Sequence, residues 1–171
     1  MNFKPQDQVP ELNVVRIGGK KWSLHEQDPE NFTLLVFYRG LHCPICKDYL
    51  NDLQDLLDDF ISMGVAPIAI SCDSKERAES SAKEWGVDKL PLAYDLSLAT
   101  AREWGLYISE SINAKEPSSF SEPGVFLVRP DGTLYAASVQ TMPFARPPLK
   151  ELKNALQFIL EKDYPARGGA A

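Results

Sequence analysis

The chain has 171 residues, 44% of them hydrophobic, and a formal net charge of −6 at pH 7. That length supports one domain with a full core rather than two, residues 1–171, and the negative balance repels phosphate, which argues against nucleic acid or an anionic membrane surface as a partner. No apolar stretch reaches the roughly 20 residues of a membrane span, and residues 1–12 lack the charged-then-apolar layout of a secretory signal, so a cytoplasmic location is expected.

Residues 1–12 carry two prolines and little periodicity and read as an arm over the surface. Leu12 to Arg16 and Lys20 to Leu24 flank Gly18-Gly19, the pattern of a small β-hairpin. Thr33 to Tyr38 is an unbroken apolar run of the length of a strand buried on both faces. From Pro44 to about Met63 the period becomes helical, with Leu50, Leu53, Leu57, Phe60 and Ile61 on one face and Gly64 as the stop. Val65 to Ser71 reads as a second buried strand, parallel to the first, with Pro67 arguing against a central position. Asp73 is placed to cap a following helix that Gly86 closes, with Glu76 three residues on. Leu90 to Tyr94 is a short apolar run. A helix begun at Asp95 or Ser97 runs through Trp104 to Gly105. Ser109 to Ser121 is polar and reads as a loop excursion near the site. Gly124 to Val128 and Thr133 to Val139 form antiparallel strands joined through Arg129-Pro130-Asp131-Gly132. A last helix begins near Pro148 with Leu149, Leu152, Leu156, Ile159 and Leu160 on its apolar face; residues 165–171 read as a flexible tail. The whole is an α/β layout with a mixed central sheet flanked by helices on both faces.

The chemistry concentrates in Cys43-Pro44-Ile45-Cys46, at the junction of the first buried strand and the long helix. Three cysteines in a chain of this size suit redox or metal chemistry better than a disulfide scaffold. The first turn of a helix offers unpaired N–H groups and partial positive charge, which stabilise a thiolate. Such positions lower a thiol pKa from about 8.5 into the range of roughly 3.5–7.5. Pro44 suits the first helical position. Residues three apart on a helix have Cβ atoms about 5–6 Å apart, near enough for a disulfide after small adjustment. His42 precedes the pair, and an imidazolium there would favour the thiolate. Arg39 is a second candidate cation beside it, placed either to help the thiolate or to pair with an acid.

With these residues in view the chain resembles the thioredoxin superfamily, and within it the peroxiredoxin-like alkyl hydroperoxide reductase C/thiol-specific antioxidant family. The resemblance rests on Phe37-Tyr38 before Cys43-Pro44-Ile45-Cys46, on Ile70-Ser71-Cys72-Asp73-Ser74, on Ala101-Arg102-Glu103-Trp104-Gly105-Leu106, and on Phe126-Leu127-Val128-Arg129-Pro130-Asp131-Gly132. It implies a thioredoxin-like fold, with Pro123 at the family's cis-proline and hence a cis Glu122–Pro123 bond. It also implies a thiol-dependent oxidoreductase, either a peroxidase acting on hydroperoxides or a protein thiol-disulfide oxidoreductase. Cys43 and Cys46 would be recycled by a cellular dithiol reductant of thioredoxin or glutathione type, without a cofactor, in a chain that could form a homodimer.

The thioredoxin template makes Cys43 the attacking sulfur and Cys46 the resolving one. The peroxiredoxin pattern Pro-x-x-x-Thr-x-x-Cys instead falls on Arg39, Cys43 and Cys46 and makes Cys46 the peroxidatic residue. Its proline and threonine are missing here, and the family's later arginine corresponds to Pro123. Arg39 is the candidate to stand in for one of these groups. The buried carboxylate of thioredoxins falls at Phe37, and Glu122 is the candidate to replace it. A zinc-holding or other non-enzymatic domain is the third reading, short of ligands because only Cys72, His25 and His42 could complete a site. Cys72 itself reads as a buried structural thiol, Trp85 and Trp104 as core. Met142 to Pro147 is an odd run that would flank the site mouth or a subunit contact.

Overall fold

The computed structural model describes residues 2–170; Met1 of the expected arm and Ala171 of the expected tail lie outside the described residues. Among the described residues there are nine strands and five α-helices, the elements read from the sequence keeping their expected order. β1 (Asn13–Arg16) and β2 (Lys21–Ser23) form the expected hairpin, with Val14 opposite Trp22. Gly18 and Gly19 turn it at positive φ, a conformation costly for any residue with a Cβ. β3 (Phe32–Phe37) pairs parallel with β4 (Val65–Ile70) and antiparallel with β8 (Gly124–Val128), which in turn pairs with β9 (Leu134–Val139). With β5 (Leu92–Tyr94) the main sheet runs β2-β1-β5-β4-β3-β8-β9. β3 therefore lies deep in the sheet, and its carboxyl end carries the Cys-x-x-Cys loop.

Side chains alternate across a strand, and β3 divides its own between two cores. Leu34 and Val36 join a cluster with Leu50, Leu53, Leu57, Phe60, Leu149 and Leu156, from α1 (Pro44–Asp55), α2 (Leu57–Ser62) and α5 (Leu149–Lys162). Trp85 of α3 (Lys75–Trp85) is part of the same cluster. Leu35 and Phe37 face the other way, among Trp104, Phe126, Val14, Phe3 and Leu12, covered by α4 (Leu98–Glu103) and the N-terminal arm.

Several local expectations change. The helix expected from Pro44 to about Met63 breaks at Leu56, whose φ of −97° and ψ of 4° leave the helical region, yet Leu53, Leu57 and Phe60 stay in the core across the break. Pro67 sits in a central strand. Ala69 N–H reaches β5 through the Pro91 carbonyl, so position 67 faces the same side, where pairing with β5 has not begun and no donor is needed. Ser74, not Asp73, caps α3 by accepting from the Arg77 amide; Gly86 ends it at φ +68° as expected. The polar stretch 109–121 is ordered into an antiparallel pair, β6 (Ile108–Glu110) with β7 (Ser119–Ser121).

The Glu122–Pro123 bond is trans, contrary to the expectation. The segment passes from β7 to β8 without a tight turn: Glu122 N–H donates to the Tyr107 carbonyl (2.7 Å) and the Pro123 carbonyl accepts from Gln140 N–H (2.9 Å). The arm is pinned to β9, with Gln6 N–H on the Leu134 carbonyl and Leu134 N–H on that of Asp7. At the other end, Ala166 is buried and its carbonyl accepts from Gln6 Nε2 at 3.4 Å.

Phe126 is fully buried, edge-on to both Trp104 (5.2 Å) and Phe37 (5.6 Å). Phe126→Ala should therefore lower unfolding stability by about 3–5 kcal/mol in denaturant titration; a loss below about 1 kcal/mol would contradict this packing.

Candidate active site

β3 ends at Phe37, and the chain leaves it through Tyr38, Arg39 and Gly40 into the first turn of α1. Asp73, just past β4, shapes this loop. Its carboxylate accepts the Leu41 N–H at 2.7 Å and the Arg77 Nε–H at 2.7 Å while almost fully buried. Gly40 is required beside it, since φ is +124° and a Cβ would fall 2.6 Å from the carboxylate oxygen.

Cys43 is the N-cap of α1, and Pro44 opens the helix as the sequence predicts. The Cys43 sulfur accepts the Cys46 N–H at 3.3 Å, taking the place a serine or aspartate oxygen holds at most helix starts. A thiolate suits that place, facing free donors and the positive end of the helix. The Cys46 thiol also donates to Cys43, and this hydrogen bond is the largest influence lowering the Cys43 pKa to about 6 against the opposing cost of burial. The Cys46 backbone N–H and the charges of Arg146 and Arg39 act in the same direction. Burial and the neighbouring Cys43 push the Cys46 thiol up. The two cysteines are not disulfide-bonded and are 1% (Cys43) and 0% (Cys46) exposed, and the opposed shifts favour one thiolate, on Cys43, over two.

The remaining sequence candidates gather around this loop but not all on the sulfurs. The Arg39 side chain turns away, pairing with Glu122 (3.4 Å) and Glu116 (3.6 Å) and lying 4.7 Å over the Phe120 ring. Its backbone is a minor influence lowering the Cys46 pKa. Glu122 is occupied by Arg39 and by the Ser109 hydroxyl (2.6 Å), so it serves as a counterion rather than as a base poised on the second cysteine. His42 rests against Phe120 with ring centroids 4.5 Å apart, and its Nδ1 lies 3.4 Å from the Arg77 guanidinium, a donor. Burial, and then Arg39, lower its pKa, which favours neutral imidazole over the expected imidazolium. Gly124 pairs with Phe37, so buried Pro123 lies level with Tyr38 at the foot of the loop. Cys72 stays apart beside Ser121, its pKa raised by burial. Among the described residues no group of three or more His, Cys, Asp or Glu side chains is arranged to hold a metal ion.

One residue escapes the sequence reading. Arg146, 8% exposed, places NH2 3.3 Å from the Cys46 sulfur, donates Nε–H to the Pro143 carbonyl (2.9 Å), and stacks 4.6 Å over Tyr49. The Met142 to Pro147 run thus reaches the site through its one basic side chain. The available signal was indirect: Pro123 removes a cation from the site, and a lone arginine between prolines after the last strand could restore it.

Residues 5–137 match the family model described as the AhpC/TSA family. Among solved structures, the chain is similar to the peroxidoxin BcpB from Mycobacterium tuberculosis, at 18% identity over 92% of this chain and 99% of that one, with a TM-score of 0.73. It is similar to the peroxiredoxin 6 of Arenicola marina at 19% identity over 95% and 76%, TM-score 0.77. For Mycobacterium tuberculosis AhpC the values are 15%, 94% and 94%, and 0.74. A search of curated proteins gave no match. At such identities the likeness to solved structures bears on the fold alone.

The charge distribution predicts a pH signature. In the reduced protein one thiolate should appear, by ultraviolet absorbance or alkylation rate, with a midpoint near 6. The thiolate fraction rises as pH increases through that midpoint, well below the about 8.5 of a free thiol. Cys46→Ala removes the leading cause and should move the midpoint upward; an intact protein titrating in the ordinary thiol range would contradict the hydrogen-bonded pair.

Proposed function

The chain belongs to the AhpC/TSA family and is a peroxiredoxin-like thiol peroxidase, and from that premise we propose that Cys43 and Cys46 cycle between dithiol and disulfide as it reduces hydroperoxides. The observation that carries this reading is the Cys43 sulfur seated as the N-cap of α1, with the Cys46 N–H 3.3 Å away and the Cys46 thiol beside it.

In the first step the Cys43 thiolate attacks the terminal oxygen of the hydroperoxide. An S–O bond forms, the O–O bond breaks, and the alkoxide leaves as an alcohol after taking a proton from solvent. Cys43 becomes a sulfenic acid and the peroxide is reduced by two electrons. The Cys46 sulfur then attacks the Cys43 sulfur. The S–S bond forms as the S–O bond breaks, and hydroxide departs with the Cys46 proton as water. A cellular dithiol, of thioredoxin or glutathione type, returns both cysteines to thiols and is itself oxidised.

Burial favours peroxide over a folded protein's disulfide as the first oxidant. Sulfurs with 1% and 0% exposure admit a small molecule through a slight opening, whereas attack on a protein disulfide requires a sulfur at the surface. The missing threonine and proline of the peroxiredoxin pattern keep the second reading, protein thiol-disulfide exchange, in play. It draws on the same pairing of a depressed Cys43 with a raised Cys46. The family's peroxide specificity then depends on this chain's own substitutes for those groups.

Stopped-flow mixing of the reduced protein with hydrogen peroxide separates the readings. Oxidation should exceed that of free cysteine at equal pH by about 100-fold or more, the scale of a positioned thiolate with charge stabilisation. A rate no faster than the free thiol's removes the peroxidase reading and leaves disulfide exchange.

A further inference from the structure

Arg146 is at least nine-tenths buried and has no carboxylate partner in any ion pair among the described residues. Arg39 has Glu116 and Glu122, and Arg77 has Asp73. A buried guanidinium without a counterion is costly, and the group that faces this one is the Cys46 sulfur, 3.3 Å from NH2. Its placement leaves little freedom. Nε–H is held by the Pro143 carbonyl, the plane lies over Tyr49, and the Tyr49 hydroxyl donates to the Pro147 carbonyl at 2.8 Å. Arg146 NH1 remains buried without an acceptor.

Resting on the reading above, in which Cys43 meets the oxidant, we propose that Arg146 is the catalytic residue of the resolving sulfur: it stabilises Cys46 as a thiolate when Cys46 closes the disulfide and when it leaves on reduction. In the reduced state the negative charge is favoured on Cys43, and burial first, then the hydrogen bond Cys46 gives Cys43, hold the Cys46 proton in place. Once Cys43 is a neutral sulfenic acid its part of that hold is gone, and the Arg146 guanidinium 3.3 Å from the sulfur offsets the burial that remains. Cys46 then forms the S–S bond, the S–O bond breaks, and the departing hydroxide takes the Cys46 proton as water. In the return half-cycle the thiolate of a dithiol reductant attacks the Cys43 sulfur, and the S–S electron pair passes to Cys46 opposite Arg146. The reductant's second thiol then releases Cys43, so two thiols are regenerated as one dithiol becomes a disulfide. A lower pKa of the departing thiol speeds this exchange.

The test compares wild type with Arg146→Gln and Arg146→Lys, using hydrogen peroxide as oxidant, dithiothreitol as reductant, and dimedone trapping with peptide mass spectrometry. Arg146→Gln should slow disulfide closure and its reduction by about 10- to 100-fold, the scale of a lost hydrogen bond to a charged group. A Cys43–dimedone adduct should accumulate, the pH profile of closure should move upward, and Arg146→Lys should recover most of the loss. If Cys43 is trapped but closure and reduction keep wild-type rates and pH profile, the assignment of Arg146 falls and the Cys43-first reading stands. If the adduct forms on Cys46 instead, the Cys43-first reading falls and the assignment with it. A loss confined to the peroxide step overturns the assignment in favour of a peroxide-binding arginine.

Discussion

The position of both sulfurs depends on one buried carboxylate. Asp73 stands past the end of β4 and holds the loop that leaves the neighbouring β3, accepting the Leu41 amide while Arg77 neutralises its charge. A hydrogen bond to a charged acceptor contributes about 1.5–3 kcal/mol, more than an ordinary backbone bond. It tethers the residue two before Cys43, so the first turn of α1 begins at a fixed height above the sheet. The close approach has a steric condition, which Gly40 meets by carrying no side chain. The seat of Cys43 is therefore set from the adjacent strand, in a contact between the ends of β4 and β3 that the parallel pairing brings together.

Around that loop the charges are arranged in pairs with one left over. Arg39 faces two carboxylates and Arg77 faces one, and both sets sit on the side of His42 and Phe120. Arg146 alone enters from the other side, between α1 and the segment leading to α5. The site thus holds cations beside the sulfurs without filling them all with protein carboxylates. The balance favours one thiolate in the reduced state, because a neutral dithiol would leave Arg146 without an opposing charge and a dianion would place two buried negative sulfurs in contact. Imidazole contributes little to this, since the Arg77 donor on Nδ1 and burial both favour neutral His42.

What the sequence made legible follows from signals that are local and strong. The Gly18-Gly19 hairpin, the glycine end of α3 at Gly86, the β8–β9 pair and the Cys43-Pro44 helix start each depend on backbone rules that one or two residues satisfy. The failures share another cause. β6 and β7 have three residues each, and in that pair Phe120 alone is a buried apolar side chain, so neither alternation nor composition marks them as strands. Asp73 fits a helix cap by spacing, but Ser74 fits it too, and only the distance between β4 and the β3 loop decides between them. Arg146 lies 100 residues from the sulfur it faces, and no spacing rule spans that interval.

Pro123 and Arg146 mark where the cation beside the sulfurs comes from in this chain. At the foot of β8, proline cannot provide a guanidinium, and Glu122 beside it is committed to Arg39. The cation enters instead on a segment outside the sheet, with Ala145 at φ +54° and prolines on both sides of Arg146. An arginine on a sheet strand would be fixed by ladder hydrogen bonds, whereas this one is fixed by its own contacts to Pro143, Tyr49 and Cys46. Two of those three contacts are to α1, the helix that Cys43 caps, so the segment leading to α5 is docked on the same element that seats both sulfurs.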